Sequence, residues 1–257
     1  MANASTQARV AVVDAHPRSE SGRGLLQLLN GFELVLDGRR VHPSASGQRL
    51  IAFLALQGRW TARAFVAGSL WSNVPESRAA ANLRSALWRL RESGVEVVAA
   101  SAEGLRVDSG VLVDLDVTSR VARRILRDPS LVGAAEGARL CLPRELLPGW
   151  YDEWVTWPRE QFRQLRLHAL EALSAYLLAR ERFAGAIEAA QAAVRADPLR
   201  ESANRLLVRA HLAEGNVSCA IDRFRRYRDV VRLELGIEPS PAVAEVIAEA
   251  LGADAMP

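Results

Sequence analysis

The sequence predicts a mainly α-helical protein with small β elements, and three observations carry that expectation. The segment Ser77–Glu92, SRAAANLRSALWRLRE, places Leu83, Ala86, Leu87 and Leu90 at i, i+3, i+4 and i+7, the spacing of one buried helical face. Two shorter helical segments precede it and strand-like pairs flank the set, an order that makes a winged helix-turn-helix. From Glu160 onward the pattern is almost wholly helical and repeats at a spacing of 34 residues, the period of the tetratricopeptide helix pair. The predicted architecture is a winged helix-turn-helix followed by an α-helical tetratricopeptide-like domain. The expected division is an N-terminal extension over 1–24, the winged unit over 25–116 and the helical domain over 117–257.

At the N-terminus, a short apolar run, Val10 to Val13, is closed by a stretch from Pro17 to Gly24 rich in Ser, Gly and Arg. A single strand cannot bury itself, so 1–24 reads as a loosely held extension or an added strand. Leu28 to Val41 then alternates in its second half and carries Asp37-Gly38, the pair favoured in a two-residue type I′ hairpin turn.

Ser46 to Gln57 sets Leu50, Phe53 and Leu54 on one helical face, and Gly58 closes it. Thr61 to Trp71 follows with Phe65, Val66, Ser69 and Leu70 on its packed face and Thr61 as the expected N-cap. Pro75 and Ser77 interrupt and restart the pattern. Beyond the third helix, Val95–Ala99 and Leu105–Val107 read as strands around a tip, Ala100–Gly104, and Val111–Asp116 as a further strand-like run.

Val117–Leu126 reads as a helix whose polar side holds Arg120, Arg123, Arg124 and Arg127, a solvated face. Asp128–Leu140 looks irregular. Trp150, Tyr151, Trp154 and Trp157 form an expected aromatic cluster stapling a connection, with core packing as the use. In the repeat, Leu178, Ala179, Phe183, Ala186 and Ile187 match Leu212, Ala213, Val217, Ala220 and Ile221. Asp197-Pro198 breaks the chain between copies. About three repeats are needed to bury a continuous core, so Glu160–Tyr176 and Pro241–Leu251 are expected to supply a third helix pair.

Composition sets the bounds of function. The chain has 257 residues and a formal net charge of +3, and it contains no lysine, so where its arginines lie says more than how many there are. No run approaches the apolar length of a membrane helix and the N-terminus lacks a secretory pattern, giving an expected cytoplasmic, nucleoid-associated location. Cys141 and Cys219 stand far apart, and the four histidines add no ligand spacing, so neither a metal nor a cofactor is expected. No catalytic constellation of the Ser/His/Asp, Cys/His or paired-carboxylate kind can be assembled, and the reading is of a protein that is not an enzyme.

The polar side of Ser77–Glu92 collects Arg78, Ala81, Ser85, Trp88 and Glu92, flanked by Asn82 and Arg89 on one edge and Arg84 and Arg91 on the other. Arginine and asparagine match base edges in two-point contacts, and Arg and Ser also reach phosphates. We therefore expect Asn82, Arg84, Ser85 and Arg89 at bases or nearby phosphates, Trp88 on backbone sugars or a thymine methyl, and Arg78 and Arg63 at phosphates. Arg106 on the second hairpin is expected to reach the backbone or the minor groove. Arg91 lies on the edge beside the core. The competing reading is a tetratricopeptide scaffold that binds a protein partner through the winged helix.

Several motifs in fixed order carry a family resemblance: LWS (Leu70–Ser72), ANLRSALWRLR (Ala81–Arg91), VDLD (Val113–Asp116), LLPGWYDEW (Leu146–Trp154), RQLRLHALEAL (Arg163–Leu173) and ELGIEPSP (Glu234–Pro241). Together they resemble the Streptomyces-type antibiotic regulatory protein family in its small form, a winged DNA-binding domain of the response-regulator type joined to a bacterial transcriptional activation domain. The likeness runs from about Leu25 to Leu251. It implies an activator that binds double-stranded DNA at direct repeats near a promoter, as a homodimer at least on DNA, and recruits RNA polymerase through its sigma and alpha subunits. Such proteins often govern secondary-metabolite gene clusters. No Walker-type GxxxxGK[ST] appears, so no ATPase module is expected, and with only a short segment before Leu25 no phospho-receiver is expected there either.

Overall fold

The computed structural model describes residues 24–252; the apolar run Val10–Val13 lies outside them. Its first half begins with three antiparallel strands, β1 (Gly24–Gln27), β2 (Glu33–Leu36) and β3 (Arg39–Val41). Asp37 and Gly38 both take positive φ, 48° and 77°, as a type I′ turn requires, and join β2 to β3. Three helices follow, α1 (Ala45–Gln57), α2 (Arg63–Leu70) and α3 (Glu76–Glu92). The hairpin of β4 (Val98–Ala100) and β5 (Leu105–Val107) leads to β6 (Val111–Val113), which lies parallel to β1 and completes a sheet in the order β3-β2-β1-β6. The sequence pattern pointed to one hairpin here, whereas β1 exists because β2 and β6 pair with it from both sides.

Ser44 caps α1 by accepting the Gly47 amide at 3.3 Å, and Gly58, in the left-handed conformation, closes it as expected. Thr61 does not cap α2. Its backbone is spent on Leu105, with N–H to carbonyl distances of 2.8 and 2.9 Å, so Ala62 takes the cap position and brings no side-chain acceptor. Phe65, expected on the packed face, is 55% exposed and only leans on Phe53.

The strand-like run Val111–Asp116 stops at Val113, because Asp114 opens α4 (Asp114–Arg127). The Asp114 carboxylate accepts the amides of Leu28 and Leu29 at 2.8 and 3.1 Å and so fixes β6 to the turn after β1. Asp128–Leu140, expected to be irregular, forms a 3-10 turn at Pro129–Leu131 and then α5 (Ala134–Cys141). Glu136 caps α5 by accepting the Gly133 amide at 3.2 Å. At its other end the buried Arg166 guanidinium donates to the carbonyls of Leu140 and Leu142, at 3.1 and 2.7 Å. A cation facing the negative end of a helix satisfies carbonyls that would otherwise be buried bare.

The long α6 (Glu153–Leu178) starts a set of antiparallel helices, α7 (Phe183–Ala196), α8 (Glu201–Ala213), α9 (Val217–Leu235) and α10 (Pro241–Leu251). The helix pairs α6/α7 and α8/α9 are the two copies of the repeat. Their turns share a closing bond at the repeat spacing: the Arg182 amide reaches the Leu177 carbonyl at 2.9 Å, and the Asn216 amide reaches the His211 carbonyl at 2.8 Å. The left-handed residue is Glu181 in the first turn and Gly215 in the second. Ala186 and Ala220 are fully buried where helices approach closely. The expected third pair does not form among the described residues: Glu160–Tyr176 is the body of α6 in the first copy, and α10 packs singly on α8 and α9.

Glu201 anchors α10. It accepts the Ser240 amide at 3.0 Å, the Ser240 hydroxyl, and the Tyr227 hydroxyl at 3.3 Å. Burial works to raise its pKa, but the hydrogen bonds from Ser240 and Tyr227 outweigh it and hold the carboxyl below the ordinary 4.5. A depressed folded pKa stabilises above the unfolded value, and that contribution is lost as the pH falls through the folded value. Glu201→Gln is therefore expected to lower the melting temperature at neutral pH, with the gap to the parent closing below about pH 4 in a pH series of thermal melts.

Two segments fasten the halves together. Leu146 and Leu147 are fully buried in the first core, where Val155 and Phe162 of α6 join them. Asn30, in the left-handed region, exchanges backbone and side-chain bonds with Pro143 and Glu145 at 2.7 to 2.9 Å. Arg159 collects the carbonyls of Leu146, Leu147 and Trp150. Of the expected aromatic cluster, Trp154 packs edge-on to Phe53 of α1 and to Trp150, which stacks on Phe32; Tyr151 and Trp157 stand exposed.

Candidate nucleic-acid interface

The core fixes α3 along one stripe. Ala79, Leu83, Ala86 and Leu90 are buried and Leu87 is half-buried. Gly47 of α1 lets Leu90 in: a Cβ there would stand 2.8 Å from Leu90 Cδ2. With that stripe seated, the rest of the helix faces outward.

Arg78, Arg84, Ser85, Trp88 and Arg89 are all exposed, Trp88 at 61%, and Asn82 is half-buried at the margin. Among the described residues, Arg63, Arg78, Arg84, Arg89 and Arg91 enter no ion pair. Their charge is thus uncommitted. Arg91, placed by the sequence pattern beside the core, is exposed and joins the same surface. The Ser85 hydroxyl donates to the Ala81 carbonyl at 3.0 Å, which leaves its oxygen free to accept. The exposed indole of Trp88 therefore stands among guanidinium groups that have no carboxylate partner among the described residues.

Arg63 opens α2. With no side-chain cap, the first-turn amides of Arg63, Ala64 and Phe65 have no partner within the helix and point outward with its positive end. That arrangement suits an anion such as a phosphate.

Arg106 stands apart from this group. On β5 it is half-buried, with its guanidinium 4.6 Å from the Trp60 ring centroid and its Nε buried without a partner. The hairpin tip, Ser101–Gly104, carries Glu103 and no cation. The stacking follows from the Thr61–Leu105 bridge between distant segments, which no local pattern in the sequence signals.

The bacterial transcriptional activator domain matches residues 107–251, more than half of the chain. The chain belongs to that family. It is one of transcriptional regulators rather than of enzymes, and the resemblance to the antibiotic regulatory proteins holds. The chain is 29% identical to the regulatory protein AfsR of Streptomyces coelicolor over 263 aligned positions, which take in 91% of this chain and 25% of that protein. It thus spans about a quarter of the length of that curated relative. The fold is similar to that of Mycobacterium tuberculosis EmbR, solved in complex with a low affinity phosphopeptide. The TM-score is 0.69 at 20% identity, covering 92% of this chain and 67% of the other. That likeness agrees with a winged helix followed by a tetratricopeptide-like helical domain. Among the described residues, no helix is long and apolar enough to cross a membrane.

Proposed function

We propose that this family member is a sequence-specific DNA-binding activator that reads a major groove with α3. The observation that carries the reading is the outward face of α3, where Arg78, Arg84, Arg89 and Arg91 surround Trp88 without a carboxylate partner among the described residues. In this account Arg84, Arg89, Asn82 and Ser85 meet bases or adjoining phosphates, Trp88 covers sugars or a thymine methyl, and Arg78, Arg63 and the open end of α2 hold phosphates. Arg106 takes a structural role against Trp60.

Residues 25–116 form the DNA-binding unit and 117–257 the activation unit in this proposal, with Leu146, Leu147, Val155 and Phe162 lent to the first core. Two protomers occupy direct repeats near a promoter and recruit RNA polymerase through its sigma and alpha subunits, at genes for a secondary metabolite. The protein acts in the cytoplasm, on the nucleoid.

Salt separates this reading from a protein-binding scaffold. Each neutralised phosphate contributes about −0.9 to the slope of log affinity against log salt. Titration of fluorescent duplex DNA should give a steep slope, and Arg78→Ala should reduce it by about one unit. A flat response, or no duplex binding, would place the protein with the scaffolds.

A further inference from the structure

A cavity of about 520 Å³ opens where the outer face of the β3-β2-β1-β6 sheet meets α4, α5 and the segment after α5. Leu25 and Leu112 present the sheet face that turns away from the core, Val117 and Val121 come from α4, and Leu142 closes the rim. The volume lies within the range that encloses a small organic ligand, about 300 to 1,000 Å³.

The polar groups of the lining are unequally engaged. Each of its three carboxylates is already satisfied: Glu33 pairs with Arg40 at 2.8 Å, Glu136 with Arg124 at 2.8 Å, and Asp114 accepts the Leu28 and Leu29 amides. The Asn30 amide is likewise spent on Pro143 and Glu145. The two remaining charged groups are cations. Arg139 and Arg144 form no ion pair among the described residues, and Arg144 makes one long bond, from Nε to the Arg139 carbonyl at 3.4 Å. Arg144 also lies within electrostatic reach of Asp114, and apolar walls with two guanidinium groups outside any ion pair among the described residues are complementary to one kind of guest.

We propose that this cavity binds a small amphipathic acid, an apolar body carrying a single carboxylate, with Arg139 and Arg144 holding the acid group. Guanidinium and carboxylate match in geometry as well as in charge. The walls come from β1, β2 and β6 on one side and from α4 and α5 on the other, so a bound acid bridges both cores. The site stands or falls independently of DNA binding by α3.

Isothermal titration of the full chain tests this with decanoate and 2-naphthoate, each beside its neutral counterpart, decanol and 2-naphthylmethanol. The expected result is saturable one-to-one binding of at least one acid, with its alcohol weaker by about tenfold or more, the scale of one charge-assisted hydrogen bond. Arg139→Gln with Arg144→Gln should abolish that preference for the acid, and Leu112→Trp, at a half-exposed position that can accept the larger ring, should block entry. Circular dichroism reports whether each variant is folded. The proposal is overturned if neither acid binds, if acid and alcohol bind alike, or if both sets of variants leave the affinity unchanged. Binding seen only after removal of residues 2–22 would also overturn it, by assigning the cavity to the chain's own N-terminal segment.

Discussion

Arg89→Ala is expected to remove the protein's footprint on its own promoter while leaving its helical content intact. Arg89 is exposed on α3 and enters no ion pair among the described residues, so truncation takes nothing from the core. A two-point arginine contact to a guanine contributes about 1 to 3 kcal/mol of discrimination, which is roughly ten- to hundredfold in affinity. Footprinting and far-ultraviolet circular dichroism on the same preparation separate lost contact from lost fold. Unchanged protection would take Arg89 out of the interface.

The largest expected loss of stability comes from Gly104→Ala. Gly104 is buried at the base of the hairpin tip with φ at 140°, a region that side chains rarely adopt. A Cβ there would sit 2.1 Å from the Thr61 carbonyl oxygen and 2.6 Å from its carbon. Those atoms are backbone and already bonded to Leu105, so the clash is relieved by parting the wing from the start of α2. Strain plus the two lost bonds should cost about 3 kcal/mol or more. Ala102→Gly, on the exposed tip, should change stability by no more than about 0.5 kcal/mol. Urea unfolding midpoints of the two variants give the comparison. Because the same bridge aims the open end of α2, Gly104→Ala should weaken duplex binding as well.

What could be read in advance follows from the range of the interactions. The face and bounds of α3 follow from local periodicity, and the Asp37-Gly38 turn and the Gly58 cap from the φ angles they adopt. The 34-residue repeat was legible because the same small and apolar residue types, such as Ala186 and Ala220, recur where the helices of each copy pack. Pairings between distant segments were not legible. Thr61 resembles a helix cap until Leu105, far along the chain, claims its backbone, and β1 is a strand only because β2 and β6 flank it.

The missed α5 did leave a local trace, Glu136 placed to cap the helix start and Gly137, Leu140 and Cys141 on one buried side, but its alanines and glycines hide the pattern. For the interface, residue type and helical projection selected Arg78, Arg84, Ser85, Trp88 and Arg89, and each is exposed. Arg91 was set aside because projection cannot tell the edge of a buried stripe from its outside. Arg106 is half-buried against Trp60, a partner on another element that no reading of β5 alone supplies.

The docking of the two halves gives the interface a fixed frame. Trp154 against Phe53, Arg49 between the Leu70 carbonyl and Asp152, and Leu146 and Leu147 within the first core tie α6 to the helices that carry α3. If α3 reads a groove as proposed, a helical half held this way keeps one orientation relative to that groove. Two copies on repeated sites would then present their helical domains side by side on one face of the duplex, provided the repeats recur at whole helical turns.

Selection of bound fragments from a pool of random duplexes, followed by sequencing, tests the central claim most directly. The account predicts an enriched motif that recurs as direct repeats spaced by about one helical turn, 10 to 11 base pairs, or a multiple of it, with enrichment lost in Arg89→Ala. A pool that emerges without a shared motif, or one enriched equally by the parent and by Arg89→Ala, would contradict it.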